Sequence, residues 1–212
     1  MGTDDQINTL SRLFRVSHET ISSLKKYEKL LIKANNSLNL IGKSTLNQIW
    51  NRHFIDSFQV IDFIDKSNNS LIDIGSGAGF PGMVLAIAAK DKNIPIKITL
   101  VEKSKKKANF LNDIKNELNL NVHVICKNIL NDNEKLTSQV FVARAFKPFE
   151  IILELIHNKI ENFEKFFVFL GKTGSRDLLQ ASKNWDIKYK QRMSITSNDS
   201  FIIEINKLEK IN

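Results

Sequence analysis

The sequence predicts an α/β protein: a seven-stranded, mostly parallel sheet covered by helices on both faces and ending in an antiparallel hairpin, behind an N-terminal helical extension. Three observations carry this expectation. From about Leu71 short β-type runs alternate with helical segments, and such alternation builds right-handed βαβ units and a parallel sheet. Before residue 69 the apolar residues recur at helical spacing instead. Near the end, "DIKYKQRMSI" and "SFIIEINKLE" flank the turn-like "TSND", as two adjacent antiparallel strands would.

Taken in order, Ile7, Leu10 and Leu13 share one helix face, and Ile21, Leu24 and Leu31 share another that begins after Ser17, a candidate N-cap. The loop "NNSLNLIGKS" leads to a third expected helix, where Trp50, Phe54, Phe58 and Ile61 recur at spacings of four, four and three. Strands are expected at Leu71 to Ile74, Ile96 to Val101, Val122 to Cys126, Val140 to Ala143 and Phe166 to Leu170, with helices at Lys105 to Leu118 and Phe149 to Ile160. The chain thus divides into a helical extension, residues 1–68, packed on a core, residues 69–212, as one domain. The polar "DKSNNS" between them is a boundary or simply a loop.

At 212 residues and 42% hydrophobic, the chain can bury one substantial core. The apolar run Met83 to Ala89 is far shorter than the roughly 18 residues of a membrane span, and the polar start Met1 to Thr9 has no signal-peptide core. A soluble, cytoplasmic protein is expected, with no membrane partner. The single cysteine, Cys126, excludes an intrachain disulfide and a cysteine-rich zinc site, and no metal is expected. Within "VHVIC" it reads as a buried structural thiol. A net charge of +8 and a pI near 9.5 favour an anionic partner, most economically nucleic acid. The chain is rich in Lys, Asn and Ile throughout, which discounts that inference.

The densest chemistry lies in "LIDIGSGAGFPGMVL", Leu71 to Leu85. Two frames compete there. Gly77, Gly79 and Gly82 spell the G-x-G-x-x-G of dinucleotide sites, whereas Asp73, Gly75, Gly77 and Gly79 spell the acid-x-G-x-G-x-G of methyl-donor sites. In an open parallel sheet, ligands bind beyond the C-terminal strand ends where the strand order reverses, so a glycine loop after the first strand is well placed for either. Glycines there supply positive φ and close backbone approach, and Pro81 suits a first helical turn. Glu102, ending the second strand, can accept from both hydroxyls of an adenosine ribose, or else act as a helix-capping acid. It serves NAD and S-adenosylmethionine equally. Asp73 tips the balance to S-adenosylmethionine, because an acid ahead of the first glycine can face the sulfonium and amino group.

Four blocks resemble the 16S ribosomal RNA guanine-N7 methyltransferases, also called the glucose-inhibited division protein B family. They are "NLIGKS" with "RHFIDS", "DIGSGAGFPG", "LVEKSKKKANFL" and "VARAF", spanning roughly residues 38–146. The resemblance implies a class I, Rossmann-like methyltransferase fold, S-adenosylmethionine as cofactor, and a guanine of 16S rRNA, free or in a small ribosomal subunit precursor, as substrate. Beside the cofactor candidates that the acid and glycine frame itself offers, Asp73, Gly75, Gly77 and Gly79, matching motif positions implies loop contacts at Gly75 and Phe80, the ribose acid at Glu102, the adenine side at Ile129 and Leu130, and Arg144 after the fourth strand. Two positions depart from the family's pattern. "LGKTG" places Gly171 before Lys172, and Ser200 stands where many members carry an arginine.

The implied chemistry explains an absence. Guanine N7 presents a free lone pair and loses no proton, so alignment suffices and no general base is required. Neither an Asn-Pro-Pro-Tyr motif nor a cysteine follows the fourth strand. Arg144 is expected to position a guanine edge, a phosphate or the cofactor pocket, unless it forms an ordinary ion pair. In "RHFIDS", Arg52 and Asp56 are spaced for an i,i+4 pair, as are His53 and Ser57 on the adjoining face; Arg52 and His53 are candidates for the RNA mouth, with His53 not a base. Lys105, Lys106 and Lys107, next to Lys103, are candidate phosphate contacts, as is Lys172, and Lys25, Lys26, Lys29, Lys188, Lys190 and Arg192 could extend a basic surface. The competing readings are a class I methyltransferase with a small-molecule or protein substrate, a non-catalytic adenosine-binding RNA-interaction protein and, more distantly, an NAD-dependent oxidoreductase. A monomer is expected, since such a fold needs no second chain to complete its core.

Overall fold

The computed structural model describes residues 2–211. The apolar runs form one sheet from β1 (Ser70–Ile74), β2 (Lys97–Glu102), β3 (Val122–Cys126), β5 (Val140–Arg144), β7 (Lys165–Leu170), β8 (Trp185–Met193) and β9 (Phe201–Lys210), with β4 (Leu136–Thr137) and β6 (Ile160–Glu161) as a separate short pair. The spatial order is β3-β2-β1-β5-β7-β9-β8. The first five run parallel, β9 is antiparallel to β7, and β8 closes the hairpin with a register shift at Lys188/Tyr189. The five parallel strands lie within one residue of the expected bounds, because their β-branched and aromatic runs are bounded by polar and turn residues.

The helices are α1 (Thr3–Phe14), α2 (His18–Leu38), α3 (Asp56–Phe58), α4 (Gly82–Asp91), α5 (Lys105–Glu117), α6 (Phe149–Lys159) and α7 (Gly174–Ala181). One face of the sheet packs against the first two helices, α4 and α5, with Leu10, Leu24, Met83 and Leu111 in one cluster with Leu71, Leu100 and Val142. The other face packs α6 and α7, joining Leu153, Ile156 and Leu178 to Phe141, Phe166 and Ile203. Strand β5 shows the alternation directly, Val140 and Val142 facing one layer and Phe141 and Ala143 the other. Ser17 caps α2, its hydroxyl accepting from Thr20 N at 3.2 Å. The "DKSNNS" segment is a loop tied into this core: Asn68 is fully buried and donates to Glu164 Oε2 at 2.8 Å. Among the described residues no helix is long and apolar enough to cross a membrane.

Three expectations are corrected. The buried face of α1 runs through Ile7, Leu10 and Phe14, leaving Leu13 47% exposed. The third helix is not regular: 3-10 turns at Lys43–Gln48 and Gln59–Phe63 flank a π-helical segment, Trp50–Ile55, and the single α turn of α3. Trp50, Phe54, Ile55, Phe58, Val60 and Ile61 are all buried, a set wider than one stripe of a uniform helix can hide. Cys126 is exposed, because it is the last residue of β3, an edge strand, where its Sγ lies 3.9 Å from Lys103 O.

Candidate active site

The chain leaves β1 toward one edge of the sheet through β2 and β3, then returns to the other side of β1 with β5. At this reversal point, beyond the C-terminal strand ends, the loops after β1, β2, β3 and β5 enclose a cavity of about 610 Å³. Gly75, Gly77, Phe80, Glu102, Ile129, Leu130 and Arg144 all lie on its wall. Its volume falls within the roughly 300–1,000 Å³ typical of small-molecule sites.

The glycine loop turns at once on leaving β1. Gly75 N and Ser76 N both donate to Val101 O, at 2.8 and 3.1 Å, and Gly75, Gly77 and Gly79 have φ of +72°, +56° and +96°. A Cβ at Gly75 would stand 2.2 Å from the Phe146 ring, so this backbone is bare for packing as well as for its dihedrals. Gly79 lies beneath the wall, against the Tyr27 hydroxyl.

Asp73 departs from its expected position. It is fully buried and absent from the cavity wall, and its Oδ2 accepts from Gly82 N at 3.0 Å. The acid therefore anchors the start of α4 from below instead of facing the cavity. Burial pushes its pKa up to about 7, against the lowering effects of the Gly82 amide and the Ser76 hydroxyl, and among the described residues its Oδ1 has no hydrogen-bond partner. Gly82 is the reason the two come so close: a Cβ there would sit 2.5 Å from Asp73 Oδ2.

Glu102 lines the cavity and bridges two loops. Its Oε2 accepts from Gly77 N at 2.9 Å and its Oε1 from Ser104 N at 2.7 Å. An ionised carboxylate has about four acceptor positions, so two remain for a ligand's hydroxyls. The cap of α5 is the hydroxyl of Ser104, which accepts from Lys107 N, and not Glu102. Opposite, Ile129 and Leu130 lie in the turn that follows β3, Ile129 being buried.

The far end of the cavity is built around Arg144, the last residue of β5. Its Nη2 lies 3.0 Å from Asp56 Oδ2 and also contacts Arg52 O, while Nη1 donates to Ser57 Oγ at 3.4 Å and the guanidinium sits 5.5 Å from the Phe169 ring centroid. The expected Arg52 and Asp56 pair is thus replaced: Asp56 serves the half-buried guanidinium of Arg144, and Arg52 contributes its carbonyl. Burial lowers the Arg144 pKa from its ordinary value, with Asp56 opposing. Asp56 Oδ1 in turn accepts from Gln59 Nε2, Ser194 Oγ and Thr196 Oγ1 at 2.9, 2.8 and 3.0 Å, which ties the β8–β9 turn to the same carboxylate.

His53 lies on the wall beside Arg144, with Nε2 3.1 Å from Thr45 Oγ1. Its ring stacks on Phe80 at 4.8 Å, and Phe80 stacks on Tyr27 at 5.7 Å. The Tyr27 hydroxyl donates to Ala78 O at 2.5 Å, so the column holds the glycine loop from within. Burial first, then the charges of Arg144 and Arg52, lower the His53 pKa to about 3. The imidazole is neutral at physiological pH and a poor base.

Of the candidate lysines, Lys107 lines the cavity, together with Lys103, Lys127 and Lys147. Lys105, Lys106 and Arg52 are exposed and lie off its wall. Lys172 also lies away from it, 3.3 Å from Asp199. Lys26 pairs with Glu117, and Lys190 and Arg192 with the buried Glu204, so part of the suspected basic surface is neutralised. Sequence reasoning did not single out Lys147, Phe146 or Tyr27. Phe146 closes the "VARAF" block and Lys147 follows it directly, a usable signal, whereas Tyr27 reaches the site only through tertiary packing.

Among the described residues no group of three or more His, Cys, Asp or Glu is arranged to hold a metal ion. The residues fit S-adenosylmethionine: a positive-φ glycine cradle, an acid with two spare acceptor positions for a ribose, and an apolar turn for an adenine line one cavity. The model of the rRNA small subunit methyltransferase G family matches residues 20–203. Ribosomal RNA small subunit methyltransferase G of Pelagibacter ubique is 39% identical over 199 residues, covering 93% of this chain and 93% of that protein. The protein of the same description from Rickettsia felis is 34% identical over 199 residues, covering 94% and 100%. A solved structure of M. capricolum TrmK in complex with S-adenosyl-homocysteine shares the fold, with a TM-score of 0.53 at 21% identity over 71% of this chain and 67% of that one. With its four motif blocks gathered around this cavity and the match running through nearly its whole length, the chain belongs to the rRNA small subunit methyltransferase G family.

Proposed function

We propose that this chain methylates N7 of a guanine in 16S rRNA by aligning donor and acceptor, without a protein base. S-adenosylmethionine supplies an electrophilic methyl group on a sulfonium when bound. Guanine N7 already carries a lone pair and no proton, so the residues of this chain would only have to hold and orient donor and acceptor, with no proton to remove. The observation that carries this reading is the far end of the cavity. There the wall carries a guanidinium held by Asp56 and an imidazole with a pKa of about 3, neither suited to proton abstraction.

The proposed roles follow the wall. Gly75, Gly77 and Phe80 cradle the methionine portion, with Gly79 and Asp73 shaping the loop from below. Glu102 holds the ribose, Ile129 and Leu130 flank the adenine, and Arg144 and His53 stand on the acceptor side. Lys103, Lys107 and Lys147 form no ion pair among the described residues and sit at the cavity, placed to meet RNA phosphates, with Lys105, Lys106 and Arg52 farther out. Contacts of this kind give salt-dependent affinity, while a guanine splayed from a loop supplies specificity. We assign the activity to a monomer in the cytoplasm, with 16S rRNA or the assembling small subunit as partner.

The test is chemical mapping of 16S rRNA from cells with and without the gene, by borohydride reduction and aniline scission at N7-methylguanine. One scission site disappears when the gene is absent and returns when it is restored. An unchanged pattern would overturn the rRNA assignment.

A further inference from the structure

Lys159, the last residue of α6, stands outside the cavity yet holds part of its wall in place. Its Nζ donates to Ile129 O and Leu130 O, each at 2.9 Å, and also to Asp132 O. An ammonium has three N–H donors, so this set uses all of them. No ion pair competes for it among the described residues. The three carbonyls belong to the turn after β3, where Asn131 N bonds to Asn128 O and no strand or helix fixes the backbone. Lys127 adds a second brace from within that segment, reaching Asp132 and, at 2.5 Å, Glu134.

We propose that Lys159 is a positioning residue that sets the affinity and adenine selectivity of the cofactor site, by holding the Ile129–Asp132 turn in its binding form before ligand arrives. Three carbonyls drawn toward one ammonium fix the orientation of successive peptide units, and with them the placement of the Ile129 and Leu130 side chains on the wall. A turn ordered in advance loses less conformational freedom on binding, so preorganisation appears as affinity. Lys159 itself touches neither donor nor acceptor, so it leaves the transfer step alone. The proposal rests on the reading that an adenosyl group lies against Ile129 and Leu130.

The experiment compares full-length wild type, Lys159→Met and Lys159→Arg by calorimetry with S-adenosylhomocysteine and its deaminated analogue S-inosylhomocysteine, and by methyl transfer to 16S rRNA. Lys159→Met raises the Kd for S-adenosylhomocysteine ten- to a hundredfold and brings the preference for adenosyl over inosyl toward unity, with kcat at saturating S-adenosylmethionine within about twofold of wild type. Lys159→Arg falls between, since a planar fork cannot match three carbonyls gathered on one point. If the methionine variant does not fold, the arginine variant still decides, by a Kd raised at least threefold. Wild-type affinity in either variant, or equal losses for both analogues, overturns the role of Lys159 while leaving the adenine site standing. A wild-type protein that does not discriminate the two analogues overturns the adenine placement instead, and the proposal with it.

Discussion

Arg144 ends β5 as a cation with little access to water, and its countercharge comes from a residue 88 positions earlier, Asp56. Side-chain exposures of 17% and 12% put this pair between the surface regime, where an ion pair contributes little, and the buried regime, where removing one partner is costly. Asp56→Asn keeps the shape and removes the charge, leaving the guanidinium with two neutral acceptors. The expected result is a loss of about 2–3 kcal/mol in urea unfolding, together with a fall of more than tenfold in methyl transfer as Arg144 loses its orientation. The Kd for S-adenosylhomocysteine should stay within about threefold, because Asp56 is not on the cavity wall. Wild-type turnover in that variant would show that the orientation of Arg144 does not matter to the reaction.

The glycine loop is where element and sequence agree most closely, and its glycines differ in a testable way. At Gly75 an added Cβ meets the Phe146 ring at 2.2 Å, whereas at Gly77 the nearest atom, Gly75 O, is 3.7 Å away. Both have positive φ, which costs an L-residue roughly 1–2 kcal/mol. Gly77→Ala should therefore lose about that much stability and bind S-adenosylhomocysteine within tenfold of wild type, while Gly75→Ala should displace Phe146 and lose binding beyond measurement by calorimetry. Equal effects would remove the steric argument. This loop, Glu102 and the five parallel strands were legible because period, glycine spacing and strand-end position are local signals. The segment Trp50–Ile55 was not, since its π-helical turns answer to burial of an unusually wide apolar set and to Arg144 across the fold. Asp73 shows the same limit: the motif located the acid, but only packing reveals that Gly82 lets it face α4. Lys159 carried no local signal, because the carbonyls it holds lie about thirty residues earlier.

At the scale of the whole molecule, the N-terminal helices and the sheet share a hydrophobic core instead of meeting at an interface. Leu10, Leu24, Leu31 and Phe54 belong to the same buried cluster as Leu71, Leu100 and Val142. We propose that residues 1–68 and 69–212 fold as one unit, with Tyr27 as a coupling point between the extension and the glycine loop. Its ring is fully buried against Phe54 and Phe80, and its hydroxyl donates to Ala78 O. Burial raises its pKa well above the ordinary tyrosine value, so it remains a donor at physiological pH. Tyr27→Phe keeps the packing and leaves a buried carbonyl unsatisfied, at a cost of about 1–3 kcal/mol, or a fall in Tm of about 2–12 °C for a chain of this length. The same variant should weaken S-adenosylhomocysteine binding several-fold, because Ala78 lies on the cavity wall. Thermal unfolding followed by circular dichroism and by tryptophan fluorescence, with Trp50 in the extension and Trp185 in the sheet, should give one coincident transition in both proteins. S-adenosylhomocysteine should move that whole transition upward, as a ligand of the folded state does. Two separated transitions, with ligand shifting one of them alone, would mean that the extension is a domain of its own and that Tyr27 does not couple it to the site.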